Sequence, residues 1–246
     1  MSITTVDAPN SLSHIYAIGS LRPFLATRDL QKEFEAAAKE LDLPENDYYG
    51  VFSYSSTPAH NEALTFRPYL YIAEKASWVF SINNVDTYML LPKYNNELDA
   101  LIAALKQSQS SQQVAIIGAL GVNHADETQN DLHLPTVLCN HIVSLPLEDM
   151  APINLKANDG VSSVSRAINF VICNFNTLVP AGLDLKGALT EINFQHYSKD
   201  GDRSLIEIIL TYLNQDLEVF YSCGIDVTDE YPFINFPLRN FLPQTA

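Results

Sequence analysis

Cysteine and basic charge are both in short supply. Cys139, Cys173 and Cys223 are odd in number, widely spaced and form no CxxC pair. That argues against a disulfide framework or a structural zinc site and leaves reduced thiols as the expectation. Only 14 Lys and Arg stand against 29 Asp and Glu, a net charge of −15. Nucleic acid and anionic membrane surfaces are therefore not expected as partners, because both would repel the average surface of this chain. No apolar run approaches the roughly 20 residues that cross a bilayer, and residues 1–10 lack the basic start and apolar core of a secretory signal. The expected location is cytoplasmic. GxGxxG, GxSxG and HExxH are missing, internal repeats are absent, and Gly118-Ala119-Leu120-Gly121 has neither the lysine nor the helix of a phosphate loop. No catalytic motif is found and no cofactor is expected.

What the chain has is apolar material, 47% of 246 residues, enough for a sizeable core in one compact unit. The clearest local signal is 75–92, which holds the single tryptophan. Trp78-Val79-Phe80-Ser81-Ile82 and Tyr88-Met89-Leu90-Leu91 are rich in aromatic and β-branched residues and are separated by Asn83-Asn84 and Asp86. They predict a β-hairpin covered on both faces, with Asn84 suited to a left-handed turn position. Three amphipathic helices are expected. One follows Thr27, with Leu30, Phe34, Ala37, Ala38 and Leu41 on one face, and stops near Leu43-Pro44. The second carries Leu98, Leu101, Ile102 and Leu105 behind a cap at Asn95 or Asn96. The third carries Val164, Ile168, Val171, Ile172 and Phe175 behind Ser162 or Ser163.

Strands are expected at 14–19, 114–118 and 134–145. Three more at 187–197, 204–214 and 217–227 read as an antiparallel meander followed by an extended, proline-punctuated tail. The fold class is thus α+β: antiparallel sheet elements, the central hairpin and the C-terminal three-stranded meander, packed with about three principal helices. A single domain is expected over 14–236, between a flexible N-terminus, 1–13, and a tail, 237–246. The core should include Leu30, Phe34, Trp78, Phe80, Leu101, Ile116, Ile168, Ile172, Ile208 and Ile225.

Two sets of residues could carry function. On a regular strand Cys139 and His141 would share a face, close enough to ligate one ion or form a thiolate–imidazolium pair. Further ligands could come from His124, Asp126, Glu127, Asp131 or His133; the competing reading is a buried thiol acting as a small hydrophobe. The second set lies in and after 44–63, a stretch with neither helical nor strand period that reads as a long loop or lid. Tyr48, Tyr49, Phe52, Tyr54, Phe66, Tyr69 and Tyr71, with an adjoining sheet edge, form a possible contact surface for a peptide or protein, unless the rings only pin the loop to the body. The paired acids Asp126-Glu127, Glu148-Asp149 and Asp229-Glu230 read as solvated or turn residues.

His14-Ile15-Tyr16-Ala17-Ile18-Gly19, Leu30-Gln31-Lys32-Glu33-Phe34, the hairpin, Arg166-Ala167-Ile168-Asn169 and Ile225-Asp226-Val227-Thr228-Asp229-Glu230-Tyr231-Pro232-Phe233 come in an order that resembles the C-terminal domain of unknown function shared by PatG and PatA of cyanobactin biosynthesis. The resemblance implies a standalone copy of a domain that accompanies enzymes processing a ribosomally made peptide. It brings no catalytic residues. It points to a non-catalytic accessory or interaction module, with peptide-processing enzymes or the precursor peptide of the same pathway as partners. A small enzyme or metal protein built on Cys139 and His141, and an oligomerisation scaffold acting as a homo-oligomer, are the alternatives.

Overall fold

The Trp78 hairpin forms as β2 (Ser77–Ile82) and β3 (Val85–Leu91). Asn83 and Asn84 both take positive φ, 51° and 63°, which gives the two-residue turn whose twist matches the flanking strands. Both asparagines, not Asn84 alone, are left-handed, and β3 therefore starts at Val85. A computed structural model describes residues 14–57, 65–108, 113–120, 132–145, 158–196 and 203–242.

Around the hairpin a barrel closes. β1 (His14–Phe24) pairs antiparallel with β2 through its second half, Ser20↔Ser81 to Phe24↔Ser77. Its first half pairs with β4 (Gln113–Leu120), His14↔Ala119 to Gly19↔Val114. Gly19 sits at the changeover, where a Cβ would overlap the Ser81 carbonyl oxygen; only glycine lets the backbones approach this closely. β5 (Thr136–Leu145) runs antiparallel to β4 and parallel to β3, and the order β1-β2-β3-β5-β4 returns to β1. A three-strand meander, a helix between the third and fourth strands, and a parallel third and fifth pair make the connectivity of an oligonucleotide/oligosaccharide-binding barrel.

Four helices cover this barrel. α1 (Arg28–Glu40) begins where Thr27 Oγ1 accepts from the Leu30 amide at 3.2 Å. α4 (Asn95–Ser108) starts at the residue expected to cap it; the Glu97 carboxylate reaches back to the Lys93 and Tyr94 amides, 2.5 and 3.3 Å. The loop expected over 44–63 instead contains α2 (Tyr48–Ser53), because Asp47 Oδ1 caps it through the Gly50 amide at 2.8 Å and Val51 and Phe52 are fully buried. Six residues are too few for periodicity to register. α3 (Leu70–Lys75) follows Pro68. Leu30, Phe34, Phe52, Ile72, Trp78, Phe80, Leu101 and Ile116 meet in one core, and the Trp78 indole donates to the Ala73 carbonyl at 3.2 Å.

The C-terminal region is built differently. α5 (Ser163–Cys173), capped by Ser162 Oγ, and α6 (Phe175–Leu178) precede a sheet of order β6-β7-β8-β9. These strands are β6 (Ala188–His196), β7 (Leu205–Asn214), β8 (Leu217–Asp226) and β9 (Phe233–Asn240). The expected three-stranded meander is thus four-stranded, and the residues expected to begin a tail at 237 lie within β9. Pro237 masked this strand in the sequence; it is tolerated because β9 is an edge. Helix α5 is apolar on two sides. Ala167 and Val171 join the sheet core with Ile206, Ile208 and Ile225. Ile172, with the half-buried Ile168 and Phe170, packs on Tyr16, Ile18, Ala115 and Ile117 of β1 and β4. Of the expected core, Ile168 alone is only half-buried. Among the described residues no helix is long and apolar enough to cross a membrane.

Candidate interaction surface and the Cys139 strand

The aromatic residues between β1 and β2 divide into an inner and an outer set. Tyr48 stacks on Phe34, ring centroids 4.5 Å apart, and Phe52 meets Trp78 edge-on at 6.2 Å. Tyr49 is half-buried against the core, with the Lys106 ammonium 5.6 Å above its ring. The outer set comprises Tyr54, Phe66 and Tyr71, exposed by 39%, 49% and 38%, and the half-buried Tyr69, whose ring lies 6.0 Å from that of Tyr54. An isolated bridge between Ser56 and Phe66, with backbone bonds of 2.9 and 3.1 Å, ties the two aromatic segments together. Arg67 locks them to the barrel helices by donating to the Phe52 carbonyl at 3.1 and 2.8 Å and pairing with Asp99 of α4.

Acid borders this surface. Partial burial, and then Glu40, raise the Tyr69 phenol above its ordinary pKa; partial burial and Glu33 do the same for Tyr71. Among the described residues Lys75 is the one cation placed over an outer ring, 5.3 Å from Tyr71. Among the described residues the strands beside these aromatics close into a ring, so the sheet edge expected there is not found.

Cys139 and His141 are separated by a β-bulge. Ile117 faces His141 while Gly118 faces Cys139, so two residues of β5 span one step of β4 and Asn140 is the extra one. The shared face expected from regular alternation is lost. Val137 and Cys139 point to the core; beyond the bulge Ile142 packs on the core and His141 is exposed. The thiol donates to the His141 carbonyl at 3.4 Å, and burial pushes its pKa up to about 12, so it is protonated at neutral pH. The cavity beside it, about 20 Å³ between Pro92, Glu97, Leu101 and β5, has room for about one water. His124, Asp126, Glu127 and Asp131 lie outside the described residues, and His133 is exposed. Among the described residues no three His, Cys, Asp or Glu side chains cluster as metal ligands do.

β5 instead reaches the C-terminal region. The His141 ring meets Tyr231 edge-on at 5.0 Å, and the Asn140 amide donates to Glu230. Behind this contact Arg166, 5% exposed, donates to the carbonyls of Val227 at 3.0 Å, Glu230 at 2.8 Å and Asp229. One turn later Asn169 donates to the Tyr16 carbonyl at 2.7 Å. Asp229 and Glu230 thus act through their backbone and one amide contact. The sequence carried a signal for this seam, since Arg166 and Asn169 interrupt the apolar residues of α5, but its partners come from distant positions.

Fold and surface together define an α+β protein in which a helix-covered barrel, bearing an outward aromatic patch, is joined across one helix to an open antiparallel sheet. The family model described as PatG Domain matches residues 14–145, more than half of the chain, and the chain belongs to that family. The resemblance drawn from the sequence motifs is therefore the correct one. A solved structure described as "PatG Domain of Unknown Function" matches with a TM-score of 0.62 at 15% identity, covering 94% of this chain and 99% of that one. At that identity what is shared is the fold. Among curated proteins none matches. The family model begins with β1 and ends with β5, so it spans the barrel and its helices.

Proposed function

We propose that this protein is a non-catalytic accessory module that binds a peptide, or an enzyme that processes one, in a cyanobactin-like pathway of ribosomally made and modified peptides. The observation that carries the reading is the outer aromatic set. Tyr54, Phe66, Tyr69 and Tyr71 are held in place by the Ser56–Phe66 bridge and by Arg67, so their side chains are presented by a fixed scaffold, which lowers the ordering cost of binding. Large amphipathic rings with few rotatable bonds are the usual anchors of interfaces. Barrels of this connectivity use the segment between the first and second strands for ligand contact, an analogy of fold that here coincides with the aromatic insertion. Glu33 and Glu40 at its border and a net charge of −15 favour a neutral or basic peptide over a nucleic acid. The protonated, buried Cys139 offers no nucleophile.

The test separates outer rings from inner ones. Tyr54→Ala combined with Tyr71→Ala should weaken binding to the precursor peptide or processing enzyme encoded beside this protein by about tenfold or more, as loss of two interface anchors does. Thermal stability should stay unchanged. Tyr48→Ala should instead lower stability through the lost Phe34 stack. Undiminished affinity of the double variant for a partner that the intact protein binds would remove this surface from the proposal.

A further inference from the structure

Barrel and sheet differ in their edges: among the described residues the barrel strands close into a ring, whereas the C-terminal sheet has two edges, β6 and β9. Those edges are treated unequally. β9 carries Pro237, Arg239 stacked 4.0 Å over Phe236, and two shifts in its register with β8, all features that discourage another strand from adding. β6, Ala-Leu-Thr-Glu-Ile-Asn-Phe-Gln-His, has no proline, lysine or arginine; its one register shift with β7 lies between Leu189 and Glu191, and from Glu191 to His196 the pairing is regular. None of its residues is buried, and Phe194 is 48% exposed although it faces the helix side opposite Ile208. The regular stretch from Glu191 to His196, with Glu191 its one formal charge and Phe194 exposed, is a template for strand pairing.

We infer that this edge pairs with β6 of a second copy, joining two four-stranded sheets into one of eight strands about a two-fold axis at Asn193. The β6 sequence is self-complementary in that register. Antiparallel pairing with the axis at Asn193 sets Ile192 opposite Phe194 of the other copy, on the helix side. On the other face it sets Glu191 opposite Gln195. Each pair occurs twice, as a two-fold interface requires, and apolar meets apolar while carboxylate meets amide. An axis at Glu191 would oppose like charges, and one at Ile192 would set Phe194 against Thr190. Gln195 is already oriented by its bond to Glu207 at 2.5 Å. Two chains of −15 repel one another, so the pairing should strengthen as salt shortens the Debye length below the roughly 8 Å of physiological ionic strength. A basic peptide captured by the same edge would show the opposite salt dependence.

Sedimentation of the full chain over about a hundredfold concentration range, at low and high salt, tests this by mass action. A monomer–dimer equilibrium favoured by salt is expected, with concentration-dependent protection of the 191–195 amides from hydrogen exchange. Phe194→Lys should weaken it about tenfold, because symmetry removes the pair twice, although the added positive charge by itself reduces repulsion. Asn193→Cys should crosslink two copies under mild oxidation. Glu191→Cys and Gln195→Cys should crosslink when mixed but not singly; with the half-buried Cys173 changed to Ser these thiols are distinguishable, because Cys139 and Cys223 are buried. A monomer at every concentration, a dimer indifferent to Phe194→Lys, or 191–195 protection by added peptide instead of by self-association would each overturn the inference.

Discussion

The barrel and the C-terminal sheet of this chain solve the same problem, covering apolar strands, in opposite ways. Among the described residues the barrel strands close into a ring and take four helices from their own connections, so the middle of the hairpin is buried on both faces. The sheet stays open. One of its faces is covered by α5, and Glu207, Thr211 and Ser222 lie buried on the other, where Ser222 and Gln195 donate to the Glu207 carboxylate at 2.7 and 2.5 Å. The barrel therefore carries its own core, and the sheet depends on a helix that it shares with the barrel. The difference also assigns roles. The two proposals made above divide accordingly, side-chain contact at the barrel insertion and backbone contact at the edge of the sheet.

The largest expected effect breaks the barrel alone. Trp78→Ala should cost about 4 kcal/mol, as truncating a fully buried large aromatic does, seen as a fall in the urea midpoint. If the halves are separable, hydrogen exchange in β7 and β8 should remain slow while β1 to β5 open. Equal loss of protection in both would show that the two cores unfold as one.

Next comes the seam between them. Arg166→Met keeps the apolar stem of the side chain but leaves the Val227, Asp229 and Glu230 carbonyls without their donor. Buried acceptors left unpaired should destabilise by about 3 kcal/mol in total. Because Arg166 holds the segment whose Glu230 and Tyr231 meet Asn140 and His141 of β5, the denaturant transition should broaden or split, with a lower apparent m-value. A sharp single transition at an unchanged midpoint would mean that Ile172 and Asn169 alone hold the halves together.

The smallest effect is graded by pH. Asp226, 1% exposed, accepts from the Thr228 amide at 2.9 Å, the Thr228 hydroxyl at 2.6 Å and Arg203 Nε at 2.9 Å. Burial alone would raise its pKa, but these bonds and the Arg203 charge hold it below the ordinary carboxylate range. Asp86 of the barrel is lowered by Ser81 and Arg22, at a more exposed position. A depressed carboxylate contributes fully above the unfolded pKa of about 3.9 and loses that contribution as pH falls through the folded value. Acid should thus weaken the sheet more than the barrel. Asp226→Asn should lower stability at neutral pH and flatten the acid limb of a stability–pH curve.

Much of this fold was legible from local pattern. Asn83-Asn84 between two apolar runs, Thr27 before an amphipathic face, and Ser162 before the apolar α5 stretch each act within a few residues, where chemistry and chain geometry coincide. α2 escaped because its stability comes from one cap and two buried side chains, and β9 because Pro237 reads as a breaker until the sheet places it on an edge. Of the candidate surface, its membership was legible as a run of tyrosines. Which rings face outward was not, because Tyr48 and Tyr54 differ in what Phe34 of α1 and Phe52 put beneath them.

By itself the sequence determined the family, the α+β class, the turns, the caps and most of the core, since each follows from side-chain chemistry within a few residues or from pattern along an element. Tertiary structure decided the rest: the closure of the barrel, the bulge at Asn140 that parts Cys139 from His141, the pairing of Arg166 with carbonyls some sixty residues away, and which edge stays open. These depend on which distant backbones meet and in what register. A shift of one residue there reverses the side a side chain faces without changing any local preference.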